Sequence, residues 1–486
     1  MQLREYQQDL LDKTRRSLRN NRRVILQAPT GAGKTALTVS MIAGAAAKGI
    51  KCLFVVHRHE LLAQTSAALW DQGVQHGVVA SGRRSSQHPV QVASIQTLDR
   101  RIKTSTAPDP GLIVVDEAHR SAAATYTRMF DAMPEAYAVG LTATPARTDG
   151  QGLDDLYSDI VTGPSVRDLI GMGYLADYRL YAPPGAAPQA KMRVRKGDYV
   201  RGDAEEAMDK PAIIGDAVSH YHKACQTEGR RLRAVVFCVG RQHAYHTAEA
   251  YREAGIEAMA ITGETQTSTR KYGIKAFREG RLDVLVGVDL FIEGLDVPGA
   301  ELAQLLRPTQ SLIVHMQSVG RVLRPKPDGG KALILDHVGN TLWHGLPDDD
   351  REWTLKGVKS SGDGEDAPAP KRCQRCHAVY PAHHPKCPEC GESPAPGEAR
   401  EGPEEVDGEL KEVDLEAARE KRRKEIGQAR TLDRLVEVAL AQGYKPAWAG
   451  ITYHSRNGGD KGALITQAKQ IAKGKRAQRQ PPQGVV

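Results

Sequence analysis

The chain has 486 residues, with 67 Lys or Arg against 59 Asp or Glu, for a net charge of +8. That length suits roughly three domains, and the basic balance favours a polyanionic partner. No uncharged stretch is long enough for a transmembrane helix, no basic start followed by an apolar run marks a secretory signal, and aromatic residues, at 5%, are too few for a long row of base-stacking rings. The expectation is a cytoplasmic protein, with no membrane partner, whose seven cysteines stay reduced or bind metal.

From residue 1 to about 340, short apolar runs at 24–26, 52–56, 90–93, 112–115, 138–141, 234–238, 284–288 and 332–335 alternate with helix-like segments. β-branched runs spaced in this way predict buried parallel strands with helical crossovers, an α/β architecture. The Pro-rich segment 182–188 predicts a joint, giving units 1–183 and 184–345. Residues 346–370, which end in a Ser, Gly, Asp and Pro mixture, read as a linker. A cysteine cluster fills 371–394, an acidic then basic segment 395–430 reads as a charged linker or helix, and 431–486 read as a small helical segment with a basic tail. Cys52, Cys225 and Cys238 read as small buried apolar residues.

The run Ala28-Pro29-Thr30-Gly31-Ala32-Gly33-Lys34-Thr35 follows an apolar strand and precedes a helical pattern. Strand, glycine-rich loop and helix form the context a P-loop needs. Backbone N–H groups of Thr30 to Thr35 would close around phosphates at a helix N-terminus. Lys34 would reach the β- and γ-phosphates of ATP, and the Thr35 hydroxyl would ligate Mg²⁺. Further on, Asp116-Glu117-Ala118-His119 ends the apolar run 112–115 at the edge where open α/β sheets bind ligands. Asp116 would hold Mg²⁺ and Glu117 would orient and deprotonate the attacking water. Two carboxylates ending a buried strand would be costly without a cation between them.

The Asp-Glu-Ala-His order resembles the DEAH box of superfamily 2 helicases and translocases, and further segments match that family in order. The resemblance implies two RecA-like parallel-sheet domains, ATP hydrolysis and movement on DNA, with RNA as an alternative substrate. It casts Gln7 as an adenine reader with Arg4 nearby, in Leu3-Arg4-Glu5-Tyr6-Gln7. Arg58 and Thr97 fall in strand-contacting motifs. Thr142 and Thr144, in Leu141-Thr142-Ala143-Thr144-Pro145, fall in the motif that couples hydrolysis to movement. Residues 235–240 match motif IV, and Gly294 and Asp296 lie in the nucleotide-contacting motif V. Gln317, Arg321 and Arg324 lie in motif VI. Arg321 and Arg324 are three apart, on one face if helical, and could act as arginine fingers supplied by the second unit. His119 could relay between the ATP site and Thr142, or could be a satisfied buried histidine.

Cys373, Cys376, Cys387 and Cys390 give C-x₂-C-x₁₀-C-x₂-C, a spacing suited to a four-thiolate Zn²⁺ ribbon. A haem attachment at Cys373 to His377 and a redox disulfide are the competing readings; the second cysteine pair close by favours zinc, with His377, His383 and His384 as bystanders. The order of helicase motifs, Leu335-Asp336-His337-Val338-Gly339-Asn340, cysteine cluster and Gly443-Tyr444-Lys445-Pro446-Ala447-Trp448 resembles the bacterial RadD (YejH)-like DNA repair helicases and their prophage relatives. That narrower resemblance implies a role in DNA repair, recombination or phage replication, in a bacterial or phage-infected cell and at the nucleoid, with single-strand-binding or repair and replication proteins as partners. A nucleic-acid remodeller that uses ATP as a switch without separating strands is the alternative of a different class.

Overall fold

The computed structural model describes residues 3–57, 59–83, 86–121, 123–147, 151–182, 192–195, 197–289, 297, 299–326, 328–349, 351–356, 371–372, 379–380, 411–412, 428–441 and 446–477. The chain divides into two compact units, residues 1–349 with 353–412, and residues 350–352 with 413–486.

The first unit contains two seven-stranded sheets. β1 (Arg23–Gln27), β2 (Cys52–Val56), β3 (Gly77–Val79), β4 (Val90–Ser94), β5 (Leu112–Val115), β6 (Tyr137–Thr142) and β7 (Asp159–Thr162) pair in the order β3-β4-β2-β5-β6-β1-β7, parallel throughout. β2 and β4 are buried along their whole length, as expected of strands covered on both faces. Ile25, Leu53, Val55, Ile113, Val115, Met129 and Phe130 belong to one core. Helix Ile95–Lys103 shows how local signals set the crossovers: Ser94 caps it by accepting from Thr97 N–H, Ile95 and Leu98 are buried, and Arg100, Arg101 and Lys103 sit at its negative end.

β8 (Tyr178–Ala182) opens the second lobe. A short hairpin of β9 (Val194–Arg195) and β10 (Asp198–Tyr199) follows, then β11 (Ala234–Phe237), β12 (Ala258–Ile261), β13 (Val284–Gly287), β14 (Leu302–Leu305) and β15 (Ala332–Asp336). β16 (Lys371–Arg372) pairs antiparallel with β17 (Val379–Tyr380), and β18 (Lys411–Glu412) pairs antiparallel with β8. The second sheet has the order β12-β13-β11-β14-β15-β8-β18 and is parallel up to its β18 edge. Its core includes Tyr221, Val236, Cys238, Tyr251, Val286 and Leu302. Cys52 and Cys238 are buried and Cys225 half-buried, all three with free thiols.

Three boundaries differ from the sequence reading. Tyr178–Ala182 pairs with β15, so the joint lies upstream of residues 183/184, in the segment between β7 and β8. Residues 346–356 are not all linker: Asp348 is buried and accepts the Tyr178 hydroxyl, and Leu355 packs on the first core while its carbonyl accepts Leu153 N–H at 2.6 Å. Apolar burial holds this stretch down despite its polar composition. Within 395–430, Lys411 and Glu412 form the edge strand β18. Among the described residues of 431–486, the three helices Leu432–Ala441, Pro446–Asn457 and Lys461–Ala477 enclose Leu435, Val436, Ala439, Ala449, Ala468 and Ala472. The four cysteines of the expected zinc site lie outside the described residues, as do Arg58, Gly294 and Asp296.

The segment after β15 turns on one carboxylate. Asp336 is fully buried and accepts the N–H groups of Val338 (3.3 Å), Asn340 (3.1 Å) and Thr341 (2.6 Å). The Asn340 side chain donates to Arg307 O (2.8 Å) and accepts Thr309 N–H (3.1 Å), joining this turn to the end of β14. The residues that carry the narrower resemblance thus shape a turn.

Candidate nucleotide site

β1 delivers the glycine-rich loop at the C-terminal edge of its sheet. Ala28, which stands where the usual pattern has glycine, is fully buried, and its N–H donates to Thr142 O (3.0 Å), tying the loop to the end of β6. Gly31 and Gly33 have φ of +88° and +80°, a region that penalises any side chain. A Cβ on Gly33 would stand 2.5 Å from Gln7 Nε2, so close packing as well as conformation requires glycine there. Gly33 precedes helix Lys34–Ala46 and offers no side-chain cap. The first N–H groups of that helix therefore point to the loop with no capping side chain, an arrangement suited to an anion.

Lys34 is half-buried, with Nζ 3.3 Å from Ala28 O and 3.4 Å from Pro29 O. Burial lowers its pKa; the Glu117 and Asp116 carboxylates oppose that shift, and the Arg321 and Arg324 charges add to it. Both arginines, from the end of helix Leu312–Gly320 and the turn after it, are thus within electrostatic reach of a lysine in the first lobe. Packing agrees: a Cβ on Gly320 would lie 2.6 Å from Thr30 Cβ, and Ala176 N–H donates to Leu323 O (2.8 Å). Gln317, on the same helix, is buried, and among the described residues neither polar atom of its amide has a hydrogen-bond partner.

β5 positions the two carboxylates. Asp116 N–H donates to Val55 O, continuing the strand pairing, and Asp116 Oδ1 accepts Glu117 N–H at 3.0 Å. Burial, reinforced by the Glu117 charge and opposed by Lys34, pushes Asp116 up to about 7. Glu117 has φ of +49°, the left-handed region, strain of about 1–3 kcal/mol for a residue with a side chain. This bend starts the single helical turn Ala118–Arg120 and sets His119 Nδ1 3.4 Å from Glu117 Oε2 and 3.3 Å from Thr142 Oγ1. Thr142 Oγ1 in turn donates to Thr144 O (3.0 Å) and accepts Thr144 N–H (3.1 Å). His119, Thr142 and Thr144 are all buried, so this chain of contacts is shielded from water. Thr35 is exposed at the start of its helix.

At the other side of the loop, Gln7 Nε2 donates to Ala32 O (3.0 Å), Tyr6 Oη donates to the same carbonyl (2.8 Å), and Gln7 Oε1 accepts Arg4 N–H (3.0 Å). Each polar atom of the Gln7 amide keeps capacity for one more bond. Arg4 stacks over Tyr174 at 4.3 Å, and the rings of Tyr6 and Tyr174 are 5.2 Å apart. Tyr174 lies in a turn far from the loop along the chain, and nothing in its own sequence surroundings signals the contact. Thr97 is further away in the first lobe, where its hydroxyl accepts the Ser94 hydroxyl at 3.0 Å within the helix cap.

Two family models match the chain: type III restriction enzyme, res subunit, over residues 1–147, and helicase conserved C-terminal domain, over residues 216–326. A 51.5 kDa protein of a Lactococcus phage is 32% identical over 371 residues, 76% of this chain and 77% of that protein. This chain belongs to the superfamily 2 helicases. The DNA 3'-5' translocase XPB2 of Sulfurisphaera tokodaii is 25% identical over 383 residues, 70% of this helicase-family chain and 82% of that protein. Among solved structures, a fragment assigned to the HsdR subunit of a type I restriction enzyme from Vibrio vulnificus YJ016 superposes with a TM-score of 0.57 at 21% identity, covering 71% of this chain and 66% of that one. At that identity the likeness speaks for the shared two-lobed fold.

Proposed function

We propose that the chain is an ATP-driven DNA helicase or translocase whose single nucleotide site is completed by both lobes. The observation that carries this reading is the placement of Arg321 and Arg324 against the Lys34 loop, with Gly320 packed on Thr30. The N–H groups of residues 31–35 and the Lys34 ammonium bind the phosphates. Gln7, Arg4 and Tyr174 hold the base. Thr35 and Asp116 hold Mg²⁺, which suits Asp116: burial beside Glu117 makes an uncompensated carboxylate there unfavourable. When bound, that cation neutralises charge on the transferred phosphoryl group. Glu117 orients and deprotonates the water, and the two arginines stabilise charge as the γ-phosphate leaves. His119, Thr142 and Thr144 connect the base to β6, and Gln317 gains partners as the lobes close. Loss of the γ-phosphate removes the arginines' ligand and lets the lobes part.

DNA is favoured as the track by the likeness to the Sulfurisphaera DNA 3'-5' translocase and by the +8 charge. Arg58 and Thr97 are the proposed first-lobe strand contacts, and Gly294 and Asp296 the second-lobe nucleotide contacts. We read Cys373, Cys376, Cys387 and Cys390 as zinc ligands; the strands flanking the first pair, Lys371–Arg372 and Val379–Tyr380, run antiparallel, as a knuckle requires. The RadD-like resemblance supports a setting in DNA repair, recombination or phage replication. The deciding experiment is steady-state ATP hydrolysis with and without single-stranded DNA. Stimulation by DNA that Lys34→Ala abolishes is expected; hydrolysis indifferent to DNA sinks the motor, and preferential stimulation by RNA redirects it. A strand-displacement assay then separates a helicase from a translocase.

A further inference from the structure

The helices that follow the motor and the cysteine cluster have a shape and a charge that the ATP site does not use. Pro446–Asn457 and Lys461–Ala477 are joined by three residues, of which Gly458 and Gly459 have φ of +73° and +96°. Asp460 caps the third helix by accepting Ala463 N–H, and His454 Nδ1 lies 2.9 Å from Gly459 O, pinning the turn. The two helices touch backbone to backbone: a Cβ on Gly450 would lie 2.7 Å from Ile465 Cα. Helix Leu432–Ala441 closes the core from the other side through Leu435, Val436 and Ala439. Two helices joined by a short glycine turn, in backbone contact and braced by a third, make a compact three-helix unit.

The last helix divides cleanly. Ala468 and Ala472 are buried, with Leu464 and Ile471 packed against the same core. Its outer face carries Gly462, Ala463, Thr466, Gln467, Lys469, Gln470 and Lys473, all exposed. The sequence from 461 to 477 has Lys461, Lys469, Lys473, Lys475 and Arg476 and no acidic residue. Among the described residues no carboxylate pairs with Lys469 or Lys473, whereas Arg193, Arg231 and Arg281 elsewhere each hold an acid.

We propose that this three-helix unit is a second, ATP-independent binding site for duplex DNA, with helix Lys461–Ala477 laid in the major groove. Lysines four apart reach phosphates, while Gln467 and Gln470 present amides of the kind that pair with adenine edges. Other polyanions fit less well. An anionic membrane needs a free apolar face, and here that face is spent on the core. Single strands need exposed rings, and Trp448 and Tyr453 pack inward against that core.

The test is equilibrium binding of the full chain to a labelled duplex, without nucleotide, across a salt series. The wild type is compared with Lys469→Ala/Lys473→Ala and with Lys469→Arg/Lys473→Arg, each checked for unchanged helicity and melting. The alanine pair should weaken binding roughly tenfold and reduce the log–log salt slope by about one per lysine, while the arginine pair keeps both. Unchanged affinity and slope in the alanine pair overturn the proposal. So does an equal loss on phosphatidylglycerol vesicles or a larger loss on single-stranded DNA. Because no ATP is present, a motor that fails its hydrolysis test leaves this result standing, and the reverse also holds.

Discussion

β5 and β15 each run into an aspartate at the C-terminal edge of their sheet, Asp116 in the first lobe and Asp336 in the second. Burial raises the pKa of both. Asp336 answers that with three backbone N–H donors and shapes a turn. Among the described residues Asp116 has one, from the residue beside it, and faces the like charge of Glu117 and the ammonium of Lys34. The saturated carboxylate is a fixture of the fold; the under-saturated one is the proposed cation ligand. Counting donors separates the two roles where the local sequence, an apolar run ending in Asp, does not.

The largest way to break this contrast is at the charges around the under-saturated site. Arg321→Ala and Arg324→Ala should each lower kcat for ATP hydrolysis by about 10³-fold or more, with melting temperature retained, in steady-state assays. Glu117→Gln should lower kcat by roughly 10²–10⁴-fold while ATP still binds, as read by equilibrium nucleotide binding. Asp336→Ala should act on the fold instead: three orphaned N–H groups cost about 3 kcal/mol or more, seen as a lower denaturation midpoint, whereas Asp116→Asn should leave the midpoint unchanged or raised. A further effect concerns acidity in the second lobe. Burial pushes His243 down to about 4 from 6.5 and His337 down to about 3. The unfolded chain therefore takes up protons that the folded chain refuses, and stability falls as pH drops from about 6.5 towards 4, by up to about 1.4 kcal/mol per unit for each histidine. Denaturant titrations at neutral and mildly acidic pH read this, and His243→Gln should shallow the slope.

Much of the nucleotide site is legible because its parts are contiguous. Residues 28–35 and 116–119 each carry their own strand end, turn and functional groups, so the chemistry travels with the segment. The helical repeat of Leu432, Leu435, Val436 and Ala439 likewise announces a packed face, and these residues are buried. What the sequence hides are contacts between distant segments. Tyr174 reaches Arg4 only because the chain crosses between the lobes beside the glycine-rich loop. Leu355 looks like linker until the first core offers it a place. The Pro-rich segment 182–188 looks like the joint, but strand pairing with β15 draws Tyr178–Ala182 into the second sheet.

The sequence by itself determined the α/β alternation, the glycine-rich loop, the paired carboxylates and the superfamily, because each rests on short-range backbone geometry and side-chain chemistry. Only the tertiary structure decided that Arg321 and Arg324 stand at the Lys34 loop, that His119 touches both Glu117 and Thr142, and that Asp336 is structural. Those relations depend on which apolar surfaces close on one another, and burial then fixes which polar groups find partners and which are left for a ligand.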